Sequence, residues 1–452
     1  MTLAELEREV ERLRRENAGL RERLQKALRE IEEWRRGHRE RSRRRSSRAE
    51  GRVRPEPKRP GRKAGHPGAF RPVPKPDRRV VHPLPERCEC GGHIDPTGEF
   101  DTTIVQDIPP VVVPESVEHL APVGLCDRCR KRHVHWLPGA VEGGASVAKV
   151  QLGPNAQALI ISLRIEYRMP MRGVSAVMGE WFGLKISPGG ISQLLDRTRE
   201  WSKPSYAEIE DRVRQSPVVG MDETGMRQQG ALGWAWLART EEASLFRLEP
   251  SRASWVADAM LGEGFVGTLC TDFYGVYTAR PDLNHAYCGA HLVREVKKVA
   301  EVSPNPFTMG FRDEIRDWYA TAKQAQTTAS RRTRRRLCDR LDQIIARPGW
   351  QPPDVLRIRS RINEHFDGVT AFLFDQAIPA DNNATERDIR FMAVYRKVTG
   401  GTRSRNGSLT VAHWMSVTQT LRKNGLSLRD YVVGLNRAHL SGRDPPSVFA
   451  TS

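Results

Sequence analysis

Apolar positions change their spacing several times along the chain, and each change marks a different kind of element. In the first 36 residues, Leu3, Val10, Asn17, Leu24 and Ile31 recur every seven positions, interleaved with Leu6, Leu13, Leu20 and Ala27, with Glu, Arg and Lys between them. That is the a/d seam of a coiled coil, and it predicts a dimerisation helix over residues 1–36. Asn17 falls at an a position, where a buried Asn favours two strands in one register. A single solvated helix docked on its own chain is the bland alternative. From 37 to 80 the periodicity disappears into Arg, Ser, Pro and Gly, a composition that cannot bury enough apolar surface to fold alone.

Helical spacing returns over 150–205. Residues 156–167, 171–182 and 188–201 read as helices, the last two joined by a turn at 183–187 with Ile191, Leu194 and Leu195 facing inward. This pair is either a DNA-binding helix-turn-helix or two packed helices with no such role. Short apolar runs follow. Residues 217–221 read as a buried strand ending at Asp222, 231–240 as its hairpin partner, 244–248 as a third strand, and 265–271 as another that ends at Asp272. Residues 306–379 read as a helical insertion, after which a helix begins near residue 381 and carries Glu386. The expected fold is therefore a multidomain α/β chain: a coiled coil, a basic arm, a small zinc-binding module over 81–145, a helical DNA-binding region, and a mixed-sheet core built from 213–305 and 380–440.

Charge narrows the partners. The chain of 452 residues carries +18, and residues 35–63 alone hold fourteen Lys/Arg against three Glu. So local an excess points to a polyanion, with double-stranded DNA the default and Arg43, Arg44, Arg45, Lys58, Arg59, Arg62 and Lys63 the expected contacts. A second basic run, 330–340, reads equally well as a DNA contact or a solvated helix face. No run has the apolar length of a membrane span, and the charged N-terminus is no secretory signal. A cytoplasmic, nucleoid-associated protein is expected, in an environment that disfavours disulfides.

Two residue sets carry chemistry. Cys126 and Cys129 have the C-x₂-C spacing of a structural Zn²⁺ site, and Cys88 and Cys90 offer a C-x-C partner pair, with His93 and His133 nearby as substitutes. Asp222, Asp272 and Glu386 form the second set. Each has a bland reading: the aspartates begin turns, and Glu386 sits three residues after a helix-capping Asn383. Taken together they are what hard divalent ions (Mg²⁺ or Mn²⁺) need, and such ions can clamp the attacking and leaving oxygens of a phosphodiester. His291 either satisfies a core hydrogen bond or positions a phosphate or carboxylate.

The block Asp381-Asn382-Asn383 with Glu386-Arg387, Arg390 and Tyr395-Arg396-Lys397 resembles the signature of the IS sixty-six family of bacterial insertion-sequence transposases. Asp222-Glu223-Thr224 resembles its first catalytic block, and Thr271-Asp272 with Tyr274-Gly275-Val276-Tyr277 its second. The order of parts is similar too, so the resemblance spans nearly the whole chain. It implies an RNase H-like DDE core with Asp222, Asp272 and Glu386 as catalytic metal ligands, supported by His291, Arg387, Arg390, Arg396 and Lys397. The implied activity is metal-dependent DNA end cleavage and strand transfer. Cys288-x-x-His291 is similar to an element that follows the second Asp in several DDE groups. The chain departs from the family at its C-x-C pair and at 398–406, where an aromatic-rich stretch is usual. Element ends and target DNA, a homodimer or higher oligomer, and accessory transposition proteins are the implied partners. A structure-selective nuclease and a domesticated, non-catalytic DNA-binding protein are the alternatives. If the heptad seam pairs two chains, Asn17→Leu loosens the choice of oligomer state in light scattering; a monomer mass for both forms would refute the zipper.

Overall fold

The structure, a computed structural model, describes parts of residues 75–134 and, apart from residues 281, 350 and 351, all of residues 151–450. The heptad seam, the arm up to residue 74 and Cys88 lie outside the described residues. Two compact units divide the chain, Met1–Asp107 and Ile108–Ser452. In the first, an isolated antiparallel bridge joins Arg87 to His93 across a turn in which Gly91 takes φ 91°. In the second, strands β1 (Val123–Leu125) and β2 (Arg132–Val134) pair antiparallel around Cys126 and Cys129. Their turn closes when the Cys126 N–H donates to Lys131 O at 2.9 Å and the Arg130 N–H to Cys126 O at 2.9 Å.

Four helices precede the main sheet: α1 (Pro154–Ile161), which runs into a π-helical turn over Ser162–Glu166, α2 (Met171–Phe182), α3 (Pro188–Trp201) and α4 (Lys203–Arg214). Gly183, at φ 66°, supplies the left-handed residue that ends α2, and Ser187 caps α3 by accepting the Gly190 N–H. Ile191, Leu194 and Leu195 face inward as their spacing predicts. The core they enter also holds Trp236, Trp414 and Met392, so these helices share one interior with the sheet.

That sheet is five-stranded and mixed, in the order β5-β4-β3-β6-β7, with β3 (Val218–Gln228), β4 (Ala231–Arg239), β5 (Ser244–Glu249), β6 (Thr268–Thr271) and β7 (Asn284–Tyr287). The first three pair antiparallel; β6 and β7 are parallel to β3. Strand β3 is longer than its apolar run, because the hairpin carries it on to Gln228, where Gln229 (φ 52°) and Gly230 (φ 82°) form a turn whose two positive φ angles match the strand twist. Asp222, expected where the chain leaves the sheet, instead lies within β3 opposite Leu237. On its other side β3 pairs with β6 only from Val218 to Gly220; beyond that the Met221 and Gly225 carbonyls accept from the Asn382 and Arg396 side chains, and Gln228 bridges to Thr402. Strand β6 is shorter than the expected 265–271: Gly264 takes φ 80°, and a Cβ on Gly267 would lie 2.5 Å from Ser216 O, which makes its first residues a loop. Strand β7 has no alternating signature and was not expected.

Helix α5 (Ser254–Leu261) precedes β6, and after β6 come α6 (Gly275–Thr278), α7 (Gly289–Val302), α8 (Pro306–Thr328), α9 (Arg331–Ala346), α10 (Pro353–Glu364), α11 (Phe366–Thr370), α12 (Asn383–Thr399), α13 (Arg405–Lys423) and α14 (Leu428–Leu440). Helices α7 to α10 and β7 build a second core around Trp318, Ile315 and Leu341. Helix α13 is buried on every side from Thr410 to Leu421. It covers edge strand β5, whose Ser244 and Phe246 N–H groups donate to Thr420 Oγ1 (3.1 Å) and Ser416 Oγ (2.8 Å). A buried edge amide left unpaired would be costly, so these hydroxyls are what let a helix lie there.

Helix α12 reaches β3 through a contact that only glycine permits. A Cβ on Gly220 would stand 2.3 Å from Thr385 Oγ1 and 3.2 Å from Asn382 Oδ1. The buried Asn382 side chain donates Nδ2–H to Met221 O at 3.0 Å, and its own N–H donates to Cys288 Sγ at 3.0 Å. Gly220→Ala should therefore destabilise the fold by ~1–3 kcal/mol, the usual cost of overpacking. Urea titration should show that loss, and Thr385→Ala in the same chain should recover part of it; additive losses would contradict the close approach.

Candidate active site

The parallel ladder between β3 and β6 pairs Val218 with Thr268, Val219 with Leu269 and Gly220 with Cys270. Two residues further along each chain come Asp222 and Asp272. Register thus sets the two residues level, two positions past the last pair of the ladder. Both are half-buried. Asp222 Oδ1 accepts the Glu223 N–H at 2.8 Å, and Asp272 Oδ1 accepts the Tyr274 N–H at 2.9 Å.

Glu386 arrives from the third direction, in the first turn of α12. The expected capping box is absent: the helix starts at Asn383, its cap is Asn382, and no side chain makes a cap bond. Asn382 donates its side-chain amide to β3 and makes no cap bond, and Asp381 Oδ1 accepts the Asn383 N–H at 3.1 Å. Glu386 Oε1 instead accepts from Arg294 Nη2 at 2.5 Å and lies 3.4 Å from His291 Nε2, both on α7. Burial pushes the Asp222 carboxyl up to about 7; the neighbouring Glu223 carboxylate adds to it, then those of Asp272 and Glu386, while the Glu223 N–H bond opposes. The three predicted acids thus lie within electrostatic reach of one another.

His291 is held below its ordinary value, by burial first and by Arg294 second, against the pull of Asp272 and Glu386. Its Nδ1 is buried with no hydrogen-bond partner. Cys288 caps the start of α7 just after β7, accepts the Asn382 N–H, and burial raises its thiol. Arg387, Arg390 and Lys397 are exposed on α12, whereas Arg396 donates to Thr224 Oγ1 (2.9 Å) and to Gly225 O, tying α12 to β3.

Sequence reasoning missed several partners. Glu223, next to Asp222, is buried by a salt bridge from Arg252 Nη2 (2.5 Å) and a hydrogen bond from the Tyr277 hydroxyl (2.5 Å). No spacing rule pairs Arg252 or Tyr277 with Glu223. Tyr277 and Asn382 lay inside quoted motifs, whereas nothing in the sequence pointed to Arg252. Of the predicted zinc ligands, Cys90, Cys126 and Cys129 form no disulfide among the described residues. Backbone N–H groups of Cys129 and Arg128 hold the Cys126 thiol below its ordinary value.

The acids differ in how their charge is met. Glu223 has Arg252, Glu386 has Arg294 and Asp381 has Lys323 (2.6 Å). Among the described residues, neither Asp222 nor Asp272 has a basic side chain in ion-pair contact. A half-buried carboxylate pair short of positive charge fits a divalent cation, with Glu386 in reach as a further donor. As the side chains stand, no three His, Cys, Asp or Glu groups among the described residues are gathered tightly enough to share an ion.

The raised Asp222 carboxyl has a thermal signature. Its folded value of about 7 lies above the ordinary 3.8, so the folded chain holds that proton more tightly than the unfolded one. The resulting stability is present in full below about pH 4 and is lost as pH climbs through 7. In chelated buffer, Asp222→Asn should raise the melting temperature at pH 8 and change it little at pH 5. An equal effect at both pH values would contradict the assignment.

Comparison with known proteins places this arrangement in a family. Residues 149–409 match the sequence profile described as the transposase IS66 family. The chain is 26% identical over 152 residues to the uncharacterized protein y4jO of Sinorhizobium fredii, a match covering 33% of this chain and 47% of that protein. It is 21% identical over 392 residues to the uncharacterized protein y4jD of the same organism, covering 77% of this chain and 73% of that one. The chain thus spans about half the length of the first relative. No helix among the described residues is long and apolar enough to cross a membrane. The profile covers the helices before the sheet, both Asp blocks, the α12 helix with Glu386 and the start of α13, and the chain belongs to the transposase IS66 family.

Proposed function

We propose that this protein is a DNA transposase whose five-stranded sheet is an RNase H-like core and whose reaction centre is Asp222, Asp272 and Glu386. One observation carries the reading: two aspartates stand level at the open end of a parallel ladder, with no cation of their own, and a helix pinned to the same strand brings a glutamate to them. The strand order β5-β4-β3-β6-β7, three antiparallel strands followed by two parallel ones, supports the core assignment.

The chemistry is phosphoryl transfer on DNA in two steps. Water displaces the 3′ oxygen at the element's end, breaking one P–O bond and leaving a 3′-hydroxyl. That hydroxyl then displaces an oxygen at a target phosphodiester, so one P–O bond forms as another breaks and no bond to the enzyme is made. Mg²⁺ or Mn²⁺, when bound, supplies Lewis-acid stabilisation of the attacking and leaving oxygens. The chain's own residues hold and orient. Asp222 and Asp272 are the principal carboxylate donors. Arg294 and neutral His291 fix the Glu386 carboxylate. Exposed Arg387 and Arg390 on α12, and Lys397 further along it, face the strand's phosphates, while Arg396 keeps α12 in place on β3. Structural zinc ligation by Cys126 and Cys129 is part of the same proposal, supported by the hairpin that presents both at its turn.

Asp222→Ala and Asp272→Ala should each abolish end cleavage and strand transfer, at least a hundredfold below the parent, while leaving binding to element ends intact. A strand-transfer assay on labelled ends with Mg²⁺ reads both steps. Cleavage without joining by the parent would make the protein a nuclease, and full transfer by either variant would overturn the site.

A further inference from the structure

Helix α9 carries a charge pattern that the reaction centre does not use. Its buried face is Leu337, Leu341, Ile344 and Ile345, and the Trp318 indole donates to Leu337 O at 2.8 Å, which fixes how the helix is turned. The opposite face is arginine. Arg332, Arg336 and Arg340 are exposed and fall four residues apart, so they form one row with a spacing of ~6 Å. Arg331 and Arg335 flank the row and are exposed as well.

Neighbouring helices neutralise their own arginines. On α8, Arg312 and Arg316 pair with Asp313; Arg347 pairs with Glu314; on α10, Arg357 and Arg361 pair with Glu295 of α7. Among the described residues, the five exposed arginines of α9 make no such pair, although Asp339 lies one turn from Arg335 and Arg336 on the same helix. Arginines crowded into the first turns also oppose the helix dipole, and like charges at i, i+4 repel. A helix that carries this cost with no internal relief is arranged for an external anion.

We infer that the Arg332–Arg336–Arg340 row of α9 is a docking surface for the phosphate backbone of duplex DNA. One strand of B-DNA presents a phosphate about every 3.4 Å of axis, so arginines at ~6 Å intervals on a straight helix each find one within reach. The contact is sequence-independent, because the row meets backbone charge and not base edges. The inference rests on the reading of the chain as a DNA-acting protein but needs no catalysis.

The test uses the full chain in EDTA, with a fluorescent 30-base-pair duplex of arbitrary sequence and anisotropy read between 50 and 200 mM salt. R332Q/R336Q/R340Q should make the log–log salt dependence shallower by about 2–3, since each lost phosphate contact removes ~0.9 from the slope. R332K/R336K/R340K, which keeps the charge, should retain the parent slope. An unchanged slope in the glutamine variant, with parent-like melting, would overturn the proposal. So would a loss seen only with a single-stranded RNA or with anionic phospholipid vesicles. Because no divalent ion is present, failure of the strand-transfer reading would leave this result legible.

Discussion

The molecule turns on the seating of α12 against β3. Gly220 has no side chain where Thr385 and Asn382 arrive, and the Asn382 amide closes the gap by bonding to Met221 O, one residue before Asp222. From that contact the rest of the site follows. Strand register sets Asp222 level with Asp272, and α12 turns Glu386 toward them. Cys288 receives the Asn382 N–H, which ties the start of α7 to the same junction and brings His291 and Arg294 onto Glu386. Segments far apart in sequence are thus tied together through Asn382, whose side-chain amide and backbone N–H are both buried and both bonded.

Around this junction charge is distributed unevenly, and the unevenness is informative. Acids with a structural task are paired: Glu223 with Arg252 and Tyr277, Asp388 with Arg239 and Lys423, Glu249 with Arg405. The half-buried aspartates at the ladder's end are not, and the carboxyl of Asp222 is pushed up to about 7, by burial above all and by acidic neighbours. Such an arrangement costs stability unless a cation enters. The same logic singles out α9, where the imbalance has the opposite sign and the proposed partner is an anion.

Much of this was legible from residue pattern alone. The apolar runs and hairpin signals identified β3, β4 and β5, and the inward positions Ile191, Leu194 and Leu195 of α3 lie in the core. Local rules fared worse where tertiary contact overrides them. Asn383 and Glu386 have capping-box spacing, yet the helix begins one residue away from that frame, and Asn382 at its cap bonds to β3. Strand β3 outran its apolar run because a hairpin partner, and not hydrophobicity, holds it from Asp222 to Gln228. Strand β7 carries Asn284 and His285 and has no period to read. Arg252, Arg294 and Tyr277 could not be foreseen as partners of acids, since nothing local relates them. The heptad seam, the basic arm and Cys88 lie outside the described residues, so those readings stand as expectations.

The claim at the centre is the proposal that Asp222 and Asp272 are ligands of the divalent ions. Electron paramagnetic resonance of Mn²⁺ titrated into the full-length protein measures this without DNA or turnover. The account predicts a tight bound-Mn²⁺ signal that disappears in Asp222→Asn and in Asp272→Asn and survives in Asp381→Asn, whose carboxylate is already neutralised by Lys323. Equal binding by the parent and both aspartate variants would contradict it.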